Sequence, residues 1–166
     1  QMSSASHAAA FVAFESEATN LVPDDTNSDI DIFVRDIAAG TIQRVSVATG
    51  GAQANNDSLM PSLSLDGNRV AFQSSATNLV TTPANGRSHV YVRDQAAGVT
   101  TLLSRSATGV IGNGDSIAAS LSGSGCFVAF ESSASNLVTG DTNGRHDIFY
   151  CEVATNTIAR ISVAPD

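Results

Sequence analysis

Two sets of oxygen-bearing side chains have the clearest potential for metal chemistry. Each set follows the same spacing, and together they comprise Asp25, Asn27 and Asp31 and then Asp141, Asn143 and Asp147. Carboxylate and amide oxygens at alternate positions of a turn are ligands that calcium prefers. The sequence therefore predicts two calcium sites. Turns rich in Asp and Asn, whose side chains bond their own backbone, are the alternative interpretation.

A third set with the same spacing lacks both carboxylates. Pro83, Asn85 and His89 stand at its three positions. Two of the three oxygen ligands of the other sets are carboxylates, so this set is predicted to bind no ion.

Cys126 and Cys151 are the only cysteines of the chain. If Phe127 faces Tyr150 across an antiparallel pair of strands, Cys126 faces Cys151. Facing residues in a non-hydrogen-bonded pair have Cα atoms about 4.5 Å apart, which suits a disulfide. The sequence thus predicts a Cys126–Cys151 disulfide and an exported location, extracellular or periplasmic. Two small buried thiols are the alternative.

Catalytic arrangements are not evident in the sequence. His7, His89 and His146 stand in different contexts, and no G-x-S-x-G motif accompanies the many serines. No histidine has companions at zinc-binding spacing. We therefore expect a protein that is not an enzyme, with a hydrolase as the alternative.

These residues are arranged by an internal repeat. Ala13-Phe14 recurs as Ala71-Phe72 and as Ala129-Phe130, at a fixed spacing of 58 residues. Repeats of this size indicate modular units that need their neighbours to bury their apolar faces.

The middle repeat predicts four strands, at 62–65, 69–73, 89–93 and 99–105. Asp66-Gly67 is a tight-turn signal between the first two. No segment shows a sustained helical period, so the class is all-β. The second and third strands are apolar on both alternating faces, as in a sheet lying between two other sheets. A propeller blade meets this description. Three four-stranded repeats are also compatible with a β-trefoil or a β-prism.

Motif detail favours the propeller. The segment from Pro61 to Phe72 resembles the P-x-x-S-x-D-G-x-x-x-A-F signature of the TolB-like (WD40-like) β-propeller repeat, and 31–36 and 89–94 resemble its third strand. The resemblance covers the chain in three copies, with Ala8-Ala9 and Ser124-Gly125 as departures from the Asp-Gly turn. It implies the fold and leaves the activity open.

The repeat places blades at 1–58, 59–116 and 117–166. Propellers typically close with four to eight blades, and an arc of three would expose apolar faces at both ends. We expect a homodimer that closes a six-bladed ring, with a filament or a fragment of a longer protein as alternatives.

Charge narrows the possible partners. The net charge is −8 and the chain contains no lysine, which argues against nucleic-acid binding. No apolar run is long enough to insert into a membrane as a helix.

The expected function is a non-catalytic module that binds a protein, peptide or glycan through its loop face or channel. A self-assembling building block is the alternative, and no cofactor other than calcium is predicted.

Overall fold

The structure is a computed structural model that describes residues 2–5, as backbone alone, and residues 10–82 and 84–163. His7, Ala8-Ala9 and Pro83 lie outside these residues. The described residues form twelve β-strands: β1 (Met2–Ala5), β2 (Phe11–Ser16), β3 (Asp31–Asp36), β4 (Thr41–Arg44), β5 (Ser58–Leu63), β6 (Arg69–Ser74), β7 (His89–Asp94), β8 (Val99–Leu102), β9 (Ser116–Leu121), β10 (Phe127–Ser132), β11 (Asp147–Glu152) and β12 (Thr157–Arg160). Among them is no helix of the length and hydrophobicity needed to span a bilayer.

The strands make three four-stranded antiparallel sheets, each in simple sequential order. We call them blade 1 (β1–β4), blade 2 (β5–β8) and blade 3 (β9–β12). The all-β prediction and the three four-stranded units are confirmed. The trefoil and prism alternatives are wrong, because each run of four strands stays within its own sheet. Ser58 and Ser116 begin the first strands of blades 2 and 3.

An aromatic pair fixes the register of the two central strands in every blade. The rings of Phe14 and Phe33, of Phe72 and Tyr91, and of Phe130 and Phe149 face each other with centroids 5.8 Å apart. Facing aromatic pairs stabilise a sheet by up to about 1 kcal/mol each. Because the pair recurs in each repeat, all three blades share the same register.

Blade 2 is buried on both faces, as the sequence predicted. On one face Val70, Phe72 and Tyr91 join the core that is shared with blade 1. On the other face Val90 and Val92 join the core shared with blade 3. The side chains of β6 and β7 therefore alternate between two interblade cores, which leaves no polar face on this sheet.

A bulge in the first strand of blades 2 and 3 adds a specific hydrogen bond to the preceding blade. Met60 and Ala118, at the two bulges, have positive φ values of 53° and 55°. The Met60 N–H donates to Glu15 Oε2 at 2.7 Å, and the Ala118 N–H donates to Gln73 Oε1 at 3.0 Å. We call this contact the bulge hydrogen bond.

Replacing Gly67 with alanine tests the packing between blades 1 and 2. Gly67 has φ +74°, and an added Cβ would overlap the ring of Phe11. We expect Gly67→Ala to lose about 1–2 kcal/mol for the left-handed backbone and a further 1–3 kcal/mol, roughly, for the overlap. Gly86→Ala is the control, since its φ is +76° and its Cβ would meet open space. Urea denaturation measures both variants, and equal losses would contradict this packing.

Candidate functional site

The first predicted set of ligands comes together around an arginine. Asp25 and Asp31 both contact Arg44 Nη1, at 3.0 Å and 3.3 Å. The three side chains are nearly buried, with 4%, 1% and 10% of their surfaces exposed. Asn27 lies in the same loop and donates from Nδ2 to the Ala54 carbonyl at 2.9 Å. The guanidinium thus provides the positive charge that two buried carboxylates require.

The second set has the same arrangement in blade 3. Asp141 and Asp147 both contact Arg160 Nη1, at 3.0 Å and 3.3 Å. Asn143 donates from Nδ2 to Asp147 Oδ2 at 2.9 Å. Since Arg44 and Arg160 are two repeats apart, the two ion-paired sets are equivalent parts of blades 1 and 3.

In blade 2 a neutral network replaces the charges. Leu102 stands at the position of the two arginines. His89 Nε2 lies 2.8 Å from Asn85 Oδ1, and His89 Nδ1 lies 3.1 Å from Ser104 Oγ. Both His89 and Ser104 are fully buried. This Ser–His–Asn arrangement has no access for a substrate and holds the loop before β7.

Calcium binding at Asp25, Asn27 and Asp31, or at Asp141, Asn143 and Asp147, stays a prediction. An ion between the carboxylates would have to displace Arg44 or Arg160 from contacts that it already makes. Among the described residues, no group of three or more Asp, Glu, His or Cys side chains is arranged to hold a metal. The arrangement favours the alternative in which these residues order the loops.

The pKa values of Asp31 and Asp147, the equivalent carboxyl groups of blades 1 and 3, are shifted in opposite directions. Burial raises the pKa of Asp31 above its usual value, although the Ser46 hydroxyl at 2.5 Å and Arg44 oppose this. Hydrogen bonds from Ser162 and Asn143 lower the pKa of Asp147. Burial lowers the pKa of His89 below 6.5, so its imidazole is neutral at pH 7.

The predicted Cys126–Cys151 disulfide is not formed in this structure, where both cysteines are free thiols. Val128 faces Cys151, and the Cys126 carbonyl accepts a hydrogen bond from the Val153 N–H. The two cysteines are therefore diagonal neighbours. Diagonal residues lie about 7–8 Å apart, beyond the usual Cα separation in disulfides. Burial raises the pKa of Cys151 to about 11, so its thiol is unreactive at neutral pH.

The repeated asparagines Asn78 and Asn136 tie each loop to the segment that links two blades. Asn78 Oδ1 accepts the Asn55 N–H at 3.1 Å, and its Nδ2 donates to the Gln53 carbonyl at 2.8 Å. Asn136 makes the same two bonds to Asn113 and Ile111. These side chains are thus engaged in loop structure.

A cavity of about 390 Å³ opens on the same face as these loops, between blades 2 and 3. We call it the mouth pocket. Its acidic groups are Asp57 and Asp115, and His146 lies beside them. Leu59 and Ile117 give it an apolar part. The pocket therefore combines negative charge with aliphatic surface.

One oxygen of each pocket carboxylate is already used. Asp57 Oδ1 accepts the Ile30 N–H at 2.8 Å, and Asp115 Oδ1 accepts the Ser88 N–H at 3.0 Å. Within the described part of the chain, no hydrogen bond engages the second oxygen of either residue. Two carboxylate oxygens thus remain available to a ligand.

Sequence reasoning missed the arginines of these sets and the serines that bond Asp31, His89 and Asp147. A signal for both was present. Arginine occurs at 44 and 160, where the carboxylates occur, and leucine at 102, where they do not. The serines recur at every repeat, as Ser46, Ser104 and Ser162.

Comparison with solved structures confirms the TolB-like β-propeller fold. TolB from Acinetobacter baumannii matches with a TM-score of 0.57 and 18% identity over 96% of this chain and 31% of its own. Putative TolB from Agrobacterium tumefaciens matches with a TM-score of 0.58 and 15% identity over 96% of this chain and 47% of its own. An oligogalacturonate lyase in complex with manganese matches with a TM-score of 0.58 and 10% identity over 98% of this chain and 41% of its own. The chain thus spans less than half the length of each. No protein-family model matches it, and no curated protein is similar to it in sequence.

Removing Arg44 tests the ion-paired set. We expect Arg44→Leu to destabilise the fold by about 3–5 kcal/mol, because two buried carboxylates lose their partner. Adding Asp25→Pro and Asp31→His installs the residues of blade 2 and should recover part of this loss. The control is Arg145→Leu, since Arg145 is exposed. Chemical denaturation measures all three, and an Arg44→Leu variant as stable as the control would contradict the ion pairing.

The neutral His89 should make stability depend on pH. Its pKa lies below the unfolded value of 6.5, so the unfolded state binds the proton more readily. Stability should therefore be lost as the pH falls below 6.5, until the folded-state pKa is passed. We expect His89→Gln to flatten this dependence. Denaturation at a series of pH values measures the slope, and equal slopes in the wild type and His89→Gln would refute the assignment.

Proposed function

We propose that this chain is a non-catalytic propeller module that binds a basic side chain of a protein or peptide partner in the mouth pocket. The observation that carries the proposal is the pair of available carboxylate oxygens of Asp57 and Asp115 beside an aliphatic wall. An arginine or lysine side chain has both matching parts, a cationic end and an apolar stem. Exposed acidic side chains on the same loop face, such as Asp24, would attract such a partner.

The engagement of the other polar groups supports a role without catalysis. His89 and Ser104, the histidine and serine that lie within hydrogen-bond reach of each other, are fully buried. The carboxylates of Asp31 and Asp147 are held by arginines and serines. A hydrolase would need a nucleophile and a base open to the substrate.

We also propose that the three blades form half of a closed ring that a second copy completes. The observation that favours this state is the exposed apolar face of blade 3, where Ile148 and Tyr150 are 39% and 36% exposed. A ring of six blades lies within the usual range for propellers. The module would then present two mouth pockets of this kind on one face.

An exported location stays a prediction, because the disulfide that suggested it is not formed in this structure. A glycan ligand is less well supported than a basic side chain, since the pocket is acidic and its described lining contains no Phe, Tyr or Trp ring on which a sugar could stack.

A pair of matched peptides tests the binding proposal. A peptide with one arginine among apolar residues should bind, and the same peptide with neutral citrulline should bind at least tenfold more weakly, because the ion pair is lost. Isothermal titration calorimetry measures both. Asp115→Asn keeps the acceptor for the Ser88 N–H and should weaken the arginine peptide by about tenfold.

The control variant is Asp36→Asn, on the opposite face. Asp36 Oδ1 likewise accepts one backbone N–H, from Ala39 at 2.9 Å. Its binding of the peptide should equal that of the wild type. Equal affinity for the two peptides, or unchanged binding in Asp115→Asn, would refute the proposal.

A further inference from the structure

We propose that the outer face of blade 3 binds blade 1 of a second copy of this chain, and that Glu131 accepts a bulge hydrogen bond from the Met2 N–H of the partner subunit. The outer face consists of Phe127, Ala129, Glu131, Ile148 and Tyr150. The inference rests on the proposed ring and identifies the residues that would hold it together.

The outer face of blade 3 is one half of an interface that the chain already contains. Val90 and Val92 of blade 2 are 0% and 2% exposed because blade 3 covers them. Ile148 and Tyr150 stand one repeat later and are 39% and 36% exposed. Phe127 stacks on Tyr150 with ring centroids 5.2 Å apart, which adds apolar surface to the same face. In blades 1 and 2, residues of the next blade cover the equivalent face.

Blade 1 carries the complementary half. Val70 and Phe72 of blade 2 are fully buried against blade 1. Val12 and Phe14, one repeat earlier, are only partly buried. The two ends of the arc therefore show the two halves of one repeated interface. A second copy supplies each half where the first copy lacks it.

The bulge hydrogen bond gives this contact a specific polar partner. Its acceptors at the two existing interfaces are Glu15 and Gln73. Glu131 is the residue of blade 3 that corresponds to Glu15 and Gln73 at the 58-residue spacing. Met2 is the residue of blade 1 that corresponds to the two donors. β1 has a register shift between Met2 and Ser4, as β5 has between Leu59 and Ser62. Strand β1 thus has the backbone irregularity that presents the donor elsewhere.

Glu131 can still accept this bond. Its Oε1 lies 2.6 Å from His146 Nδ1 at the surface. In the interface between blades 1 and 2, the oxygen that accepts the bulge N–H is Oε2 of Glu15. In the part of the chain that the structure describes, the hydrogen bond of the Glu131 carboxylate is made by Oε1, which leaves Oε2 to the partner subunit.

A second polar contact follows the same repeat. The Leu121 N–H of blade 3 donates to Ser62 Oγ of blade 2 at 2.9 Å. Ser120 is the residue that follows Ser62 by one repeat, and it is exposed beside the outer face. A blade docked on this face would therefore have a hydroxyl acceptor at the position that Ser62 occupies in blade 2.

Sedimentation velocity over a range of concentrations tests the proposal. The wild-type chain should reach twice its mass of 17.0 kDa as a discrete species. Tyr150→Glu places a charge in the apolar contact and should shift the protein to monomer. Val110→Glu is the control, because Val110 is 55% exposed but lies on the segment between blades 2 and 3, away from the outer face. This variant should remain dimeric.

Glu131 provides a finer test. Glu131→Ala should raise the dimer dissociation constant by about tenfold or more, since it removes a charged acceptor from a backbone N–H. Glu131→Gln should stay close to the wild type, because Gln73 makes the same bond between blades 2 and 3. Circular dichroism checks that each variant is folded.

The outcomes separate this contact from the ring itself. A wild-type chain that stays monomeric at all concentrations, or that forms open polymers, overturns both. A dimer that persists unchanged in Tyr150→Glu and in Glu131→Ala overturns this contact alone and leaves the ring to another surface. Peptide binding in the mouth pocket is measured separately and depends on neither result.

Discussion

The sheets of this protein are stable only when both faces of their central strands are covered. In blade 2 the side chains of β6 and β7 alternate between two cores, each shared with a neighbouring blade. Burying one valine, leucine or phenylalanine side chain stabilises a fold by about 1.5–3 kcal/mol. A single blade would lose this contribution on both faces. The blades therefore depend on each other, and on the outer face of blade 3 Ile148 and Tyr150 are exposed.

Two-sided burial also determines where the polar groups can lie. They are displaced to the ends of the strands, where the loops fold over and bury them, and buried charges must then be paired. Blades 1 and 3 meet this requirement with Arg44 and Arg160. Blade 2 meets it with neutral groups around His89. Both solutions hold the loop that precedes the third strand of the blade.

The strands and their grouping could be predicted from the repeat, whereas the pairing of Cys126 and Cys151 could not be predicted from alternation alone. The expected register differs from the observed one by two residues. A shift of two keeps every side chain on the same face of the sheet, so the apolar pattern is unchanged. The facing pair Phe130 and Phe149, which recurs in the other blades, would have fixed the register.

The convergence of the Asp and Asn side chains was predictable because they lie within one short loop. Their partner was harder to find, since Arg44 is on the strand after the one that follows this loop, and a search for metal ligands considers only oxygen donors. The internal comparison was the decisive signal: where Leu102 replaces the arginine, His89 replaces the carboxylate. Two positions that change together within one chain indicate a contact. The same logic, applied to Glu15, Gln73 and Glu131, connects an exposed side chain of blade 3 to an interface that the chain forms twice within itself.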